Sequence, residues 1–158
     1  MASSSAKMDK SAAAQAFTDK FNATPASGSE ADRFRAADDR LKALPAAKVK
    51  ALCRFSDARP SPEIAACMEC WAVIHGEEEP TVASCLALAQ DPSEFKLVGI
   101  TLLNSLSDED MRQLEAKTAE LHLPKAADDA EEAAAAMLEW TQAALGLRRW
   151  AESARKSG

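Results

Sequence analysis

The chain has 158 residues, of which 47% are hydrophobic and 28% charged, and this length suits one domain with a tail. Its net charge of -6 disfavours nucleic acids and anionic membranes as partners, because both require an excess of basic residues. No apolar run approaches the ~20 residues of a membrane-spanning helix, and no signal peptide is recognisable. We therefore expect a cytoplasmic protein without a membrane partner.

The composition favours an all-α fold. Alanine, leucine and glutamate are abundant, whereas the chain has only 5 glycines and no tyrosine. We predict a compact bundle of about six helices over residues 30–158, with a long C-terminal helix. Residues 1–29 are rich in Ala, Ser and Lys and predict a disordered tail. A helix that folds on a partner is the alternative for this segment.

The first half of the bundle shows clear helical periodicity. Apolar residues at helical spacing predict helices over 30–44 and 46–55. Ser61 and Pro62 predict the start of a third helix, which Gly76 ends. This third helix is apolar on nearly all sides, which indicates a central, buried position.

The second half begins with short helices. Pro80 starts one, Asp91 and Pro92 start another that carries apolar residues as far as Leu103, and Ser107 caps a third that continues to Leu121. A long helix then runs over about 127–154. Its acidic start and basic end both suit the helix dipole.

Four cysteines raise the question of a metal or redox site. Cys67 and Cys70 form a C-x-x-C pair, whereas Cys53 and Cys85 are isolated. Structural zinc usually takes two such pairs on tight turns, and here the single pair lies within a helical segment. We favour buried, reduced cysteines and expect no cofactor, with a zinc site and a redox pair as alternatives.

Catalytic motifs are missing from the sequence. There is no Gly-rich phosphate loop and no H-E-x-x-H pattern. The two histidines, His75 and His122, are expected to be half-buried residues near helix ends. The acidic run Asp108 to Asp110 follows Ser107 and predicts a helix N-terminus rather than a metal site. We therefore expect a protein that is not an enzyme.

Two groups of basic residues stand out, one in the first two predicted helices and one at the end of the last. Solvated helix faces are the simplest interpretation. If the two groups meet in space, they form one positive patch suited to an acidic partner. The candidate partner-binding residues are Lys42, Lys48 and Lys50 in the first group and Arg148 and Arg149 in the second.

The order of these elements is similar to a known domain. The segment 46–150 resembles the microtubule-binding domain at the tip of the dynein heavy-chain stalk. The resemblance rests on the order and spacing of short motifs: Val49-Lys50-Ala51-Leu52, Pro60 and Pro62, Met68-Glu69, Ile74-His75-Gly76, Asp91-Pro92-Ser93-Glu94-Phe95, the Asp-rich turn from Asn104 to Met111, Ala134-Ala135-Ala136 and Glu139-Trp140-Thr141-Gln142-Ala143.

The resemblance implies a helical bundle whose first and last segments enter where the stalk would attach. It also implies binding to the acidic groove of tubulin, with Lys42 and Lys50 at basic positions of the family's first helix. Asp128 and Asp129 depart from the basic surface that the family's last helix presents. We expect a binding module for tubulin or an axonemal protein, located at the cytoskeleton or flagellum. The alternative is a general protein-interaction bundle with a non-tubulin partner.

Overall fold

The computed structural model describes residues 30–119, 121–123 and 125–157, and this part of the chain is helical, without strands. The all-α prediction is confirmed, whereas the prediction for residues 1–29 lies outside the described residues. The described part contains eight α-helices, and a 3₁₀ helix (Leu52–Ser56) directly follows the second of them. The α-helices are α1 (Glu30–Ala43), α2 (Ala46–Ala51), α3 (Pro62–Ile74), α4 (Val82–Ala89), α5 (Pro92–Phe95), α6 (Ile100–Ser105), α7 (Asp108–Thr118) and α8 (Asp129–Ser157).

The long helix α8 is the centre of the bundle. It packs against α1, α2, α3, α6, α7 and the 3₁₀ helix. Its buried face alternates large side chains with small ones, so that neighbouring helices approach closely. The buried residues include Ala133, Ala136, Met137, Trp140, Ala143, Ala144 and Leu147.

Helix α1 runs antiparallel to α8. Arg40 pairs with Glu139, Lys48 (in α2) pairs with Glu132, and the carboxylate of Glu30 lies against Gly146. The start of α1 therefore lies beside Gly146, just beyond the midpoint of α8. The α1–α2 turn lies beside the first turns of α8.

Four aromatic rings hold α1, α3, α5 and α8 together. Trp140 packs edge-on against Phe34 (5.3 Å between centroids) and Trp71 (5.5 Å), and Trp71 packs against Phe95 (5.4 Å). Both buried indole groups have hydrogen-bond acceptors. Trp71 Nε1 donates to the Phe95 carbonyl at 3.1 Å, and Trp140 Nε1 donates to Asp38 Oδ1 at 3.0 Å. The aromatic core therefore buries no unpaired indole N–H.

The helix boundaries predicted from capping residues are confirmed. Ser61 accepts from the Ile64 amide, and Asp91 accepts from the amides of Ser93 and Glu94. Ser107 forms a capping box with Asp110. Gly76 ends α3 with a φ of 77°, a left-handed conformation that favours glycine.

The single helix predicted through Leu103 is wrong, because the chain breaks between α5 and α6. Lys96 ends α5 and Gly99 is extended, so residues 96–99 form a short loop. The helix predicted over 46–55 likewise becomes 3₁₀ after Ala51, and α7 ends at Thr118 rather than Leu121. Phe95, just before the loop, and Val98, within it, remain buried. The helical spacing of apolar residues therefore continues across the loop, so it did not reveal the break between α5 and α6.

We expect Gly146→Ala to stabilise the protein by about 0.5–1 kcal/mol, because alanine is the better helix former. The new Cβ would meet the carboxylate of Glu30. Glu30 Oε2 is buried without a hydrogen-bond partner among the described residues, so displacing this flexible group into water costs little. Urea denaturation should show a higher midpoint with an unchanged slope. A lower midpoint would show that the carboxylate cannot move.

Candidate functional site

The cysteines have the environment of structural thiols. Cys67, Cys70 and Cys85 are buried, and burial raises the pKa of each to about 12. A thiol with such a pKa is neutral at physiological pH and a poor nucleophile or metal ligand. Within the part of the chain that the structure describes, no group of three Cys, His, Asp or Glu residues is arranged to hold a metal ion. Cys67, Cys70 and Cys85 are therefore buried thiols, as predicted, whereas Cys53 is only half-buried.

The two histidines differ in their surroundings. His75 caps the end of α3, and its Nε2 lies 3.2 Å from the Phe95 carbonyl. Because a carbonyl only accepts, Nε2 carries a proton and donates. Burial lowers the pKa of His75. His122 is exposed, so the prediction of a half-buried residue is wrong for it.

The first basic group lies at the α1–α2 turn, and its three lysines differ in how they are held. Lys48 is half-buried and donates to Glu132 at 2.6 Å, and this carboxylate raises the pKa of Lys48. Lys42 is exposed and pairs with Asp38 one helical turn away, a contact of little energetic value. Lys50 is exposed and has no ion-pair partner among the described residues. Lys42 and Lys50 are therefore the lysines of this group available to a partner.

The second basic group contains two unlike arginines. The side chain of Arg148 is only 11% exposed, and its Nη1 donates to the carbonyls of Leu103 (3.0 Å) and Leu106 (2.7 Å). These carbonyls lie at the end of α6, so Arg148 caps that helix. The side chain of Arg149 is 65% exposed, with Glu115 at 3.3 Å. Of the two, Arg149 is the one that a partner can reach.

The structure does not bring the two predicted groups together. Lys48 marks the position of the first group through its bond to Glu132, and Arg148 marks the second. Glu132 and Arg148 are sixteen residues apart in α8, about 24 Å along the axis. The expected single patch of five residues is therefore replaced by two separate surfaces.

The sequence missed two residues in the loop that contacts the end of α1. Lys96 donates to the carbonyls of Lys42 (3.2 Å) and Leu44, so it caps the end of α1. The next residue, Leu97, is 66% exposed and is the large hydrophobic residue that the described part of the chain leaves in water. We call Lys42, Lys50, Lys96 and Leu97 the basic corner. The helix break at residues 96–99 creates it.

Buried neighbours and backbone hydrogen bonds fix the position of Leu97. Phe95 is fully buried and Val98 nearly so. The amide of Leu97 donates to the Glu94 carbonyl at 3.1 Å, and the amide of Val98 donates to the Lys96 carbonyl at 2.8 Å. A leucine fixed in this way loses little backbone entropy when it enters a partner's surface.

Acidic residues of α8 reduce the positive charge near this corner. Asp128 pairs with Arg54 at 2.7 Å, just as Glu132 pairs with Lys48. The pKa of Asp128 is lowered, first by the backbone amide of Glu131 and then by Arg54. The acidic start of α8 thus ties the 3₁₀ helix and α2 to the bundle. Its carboxylates pair with Arg54 and Lys48, two cations that would otherwise face solvent.

Comparison with protein-family models, curated proteins and solved structures finds no match to this chain. The dynein resemblance therefore stays a prediction based on its sequence motifs. None of the helices in the described ranges is both long and apolar enough to cross a membrane.

Proposed function

We propose that this protein is a non-catalytic binding module that attaches to an acidic protein surface through the basic corner. The partner implied by the sequence resemblance is tubulin or an axonemal protein, and the module would act at the cytoskeleton or flagellum. The observation that carries the proposal is the exposure of Lys42, Lys50 and Leu97, with Lys96 joining the loop of Leu97 to the end of α1. Protein interfaces typically surround an apolar core with a polar rim.

The course of the chain also supports this proposal. Glu30 at the start of α1 lies against Gly146 of α8, eleven residues before the end of α8, so the start of α1 and the end of α8 lie toward the same end of the bundle. The basic corner lies at the other end of α1. In the dynein stalk domain that the sequence resembles, the coiled coil would enter beside such paired helix ends, leaving the far end for the microtubule.

Lys50→Glu should weaken binding to polymerised tubulin about tenfold, because it reverses a charge facing an acidic surface. Lys42→Glu should act in the same direction. Cosedimentation at several salt concentrations measures the effect, and low ionic strength gives the least screening.

Arg112→Glu is the matched control for these variants. Arg112 is exposed on α7, outside the basic corner. Its substitution by glutamate changes the net charge by the same amount as Lys50→Glu. We expect its affinity to equal that of the parent. Failure of the parent protein to pellet at low ionic strength would contradict the tubulin proposal. Equal losses for Arg112→Glu and Lys50→Glu would contradict the basic corner.

A second candidate function is binding of a non-tubulin protein in an apolar cavity. This cavity of about 550 Å³ lies between the 3₁₀ helix and the starts of α3 and α4. Its walls include Phe55, Pro60, Pro62, Ala65 and Val82. A cavity of this size and lining is typical of a ligand site. Ala65→Glu would abolish binding of such a partner while leaving cosedimentation with tubulin unchanged.

A further inference from the structure

A polar cavity of about 420 Å³ lies between α1, α7 and α8, away from the basic corner. Arg33 from α1 and Arg149 from α8 both line it. These arginines are 116 positions apart in sequence, and the antiparallel packing of α1 on α8 brings them to the same cavity. The volume lies within the ~300–1,000 Å³ typical of ligand sites.

Some of the hydrogen-bond donors on the cavity wall already donate to acceptors within the protein. The amide nitrogen of Gln142 donates to the carbonyls of Thr118, the last residue of α7, and of Leu121 (both 3.4 Å). The Thr118 hydroxyl donates to the Leu114 carbonyl at 2.7 Å. These polar groups are therefore already used within the protein.

The two guanidinium groups remain for a ligand. Arg33 is exposed and makes no ion pair within the described ranges. Arg149 uses its Nε for Glu115 at 3.3 Å and for the Leu145 carbonyl at 3.4 Å, both long contacts. Its Nη groups donate no hydrogen bond within the described part of the chain. Guanidinium groups bind carboxylates through paired N–H donors.

We infer that this cavity is a second docking site, which binds carboxylate side chains of an acidic peptide segment. The carboxylate of Glu115 on the wall repels a doubly charged phosphate more strongly than a singly charged carboxylate. The exposed Ala119 provides apolar surface for the methylene groups of a glutamate. The inference takes the acidic character of the partner from the proposed function, but it concerns a separate surface.

The two sites can be tested separately. Arg33 and Lys42 are nine residues apart in α1, which at 100° per residue places them on opposite sides of the helix. A variant of one site therefore leaves the other intact. Arg33 and Arg149 are both exposed, so their substitution should leave the fold unchanged.

The test is a titration of the full chain into a fluorescein-labelled oligoglutamate peptide, followed by fluorescence anisotropy. Arg33→Ser and Arg149→Ser should each weaken binding about fivefold. Arg112→Ser removes the same charge outside both sites and should have little effect. Equal melting temperatures of all variants would exclude unfolding as the cause of any loss.

Two outcomes would overturn the inference: no saturable binding of the peptide, or equal losses in Arg33→Ser, Arg149→Ser and Arg112→Ser. Inorganic phosphate that competes better than glutamate would also overturn the assignment to carboxylates. Failure of this test would leave the cosedimentation result with Lys50→Glu untouched. Failure of cosedimentation would likewise leave the peptide titration valid.

Discussion

Trp140→Ala should lower the free energy of unfolding by about 3–5 kcal/mol, as for other large-to-small changes in a packed core. Trp140 is fully buried and contacts the rings of Phe34 and Trp71, so it connects α8 to both α1 and α3. The substitution also removes the indole N–H that donates to Asp38. Thermal denaturation should show a melting temperature about 10–20 °C lower.

Trp140→Phe separates the two contributions. Phenylalanine keeps an aromatic ring between Phe34 and Trp71 but cannot donate to Asp38. We expect a smaller loss of about 1–2 kcal/mol, the cost of a partly buried acceptor that loses its partner. A melting temperature of Trp140→Ala equal to that of the parent would contradict the structure of the aromatic core.

The features that the sequence predicted correctly are governed by local interactions. Ser61, Asp91 and Ser107 each cap a helix through amides no more than three residues away. Gly76 ends α3 because its own backbone conformation requires a glycine. Such interactions need no knowledge of the rest of the fold. The all-α class and the long C-terminal helix could therefore be predicted from the sequence.

The candidate site could be predicted only in part, because its properties depend on contacts between distant segments. Lys48 and Lys50 have the same sequence context, yet only Lys48 meets a carboxylate 84 positions away. Leu97 lies two residues after the buried Phe95, in a segment whose apolar residues predicted one continuous helix. The loop at 96–99 turns Leu97 toward solvent, and no periodicity reveals such a break.

Asp128 and Asp129 depart from the pattern of the dynein domain, and the structure provides a physical reason for acidic residues at the start of α8. The resemblance to the dynein domain would place basic residues at this position. In the structure, Asp128 accepts from the Glu131 amide at 3.0 Å and pairs with Arg54. The acidic residues at the start of α8 thus suit the positive end of the helix and bind α8 to its neighbours. This arrangement leaves Lys42 and Lys50 as the exposed lysines of the first basic group.

Arg148→Ala should destabilise the protein by about 2–4 kcal/mol, because two carbonyls at the end of α6 would lose a charged donor. The side chain of Arg148 is largely buried, and its Nη1 donates to both Leu103 and Leu106. The neighbouring Arg149 provides the matched control. Its side chain is mostly in water, so Arg149→Ala should change the stability by less than about 0.5 kcal/mol.

Salt distinguishes capping by Arg148 from a role as an ion-pair partner. Asp108 and Glu152 lie 3.6 Å from its guanidinium group, and attraction to them is screened at high ionic strength. Donation to neutral carbonyls is far less sensitive to salt. The difference in unfolding free energy between Arg148→Ala and the parent should therefore persist in ~1 M salt, where the Debye length is about 3 Å. A difference that vanishes there would assign Arg148 to the ion pairs. A stable Arg148→Ala protein that binds its partner more weakly would instead return Arg148 to the docking surface predicted from the sequence.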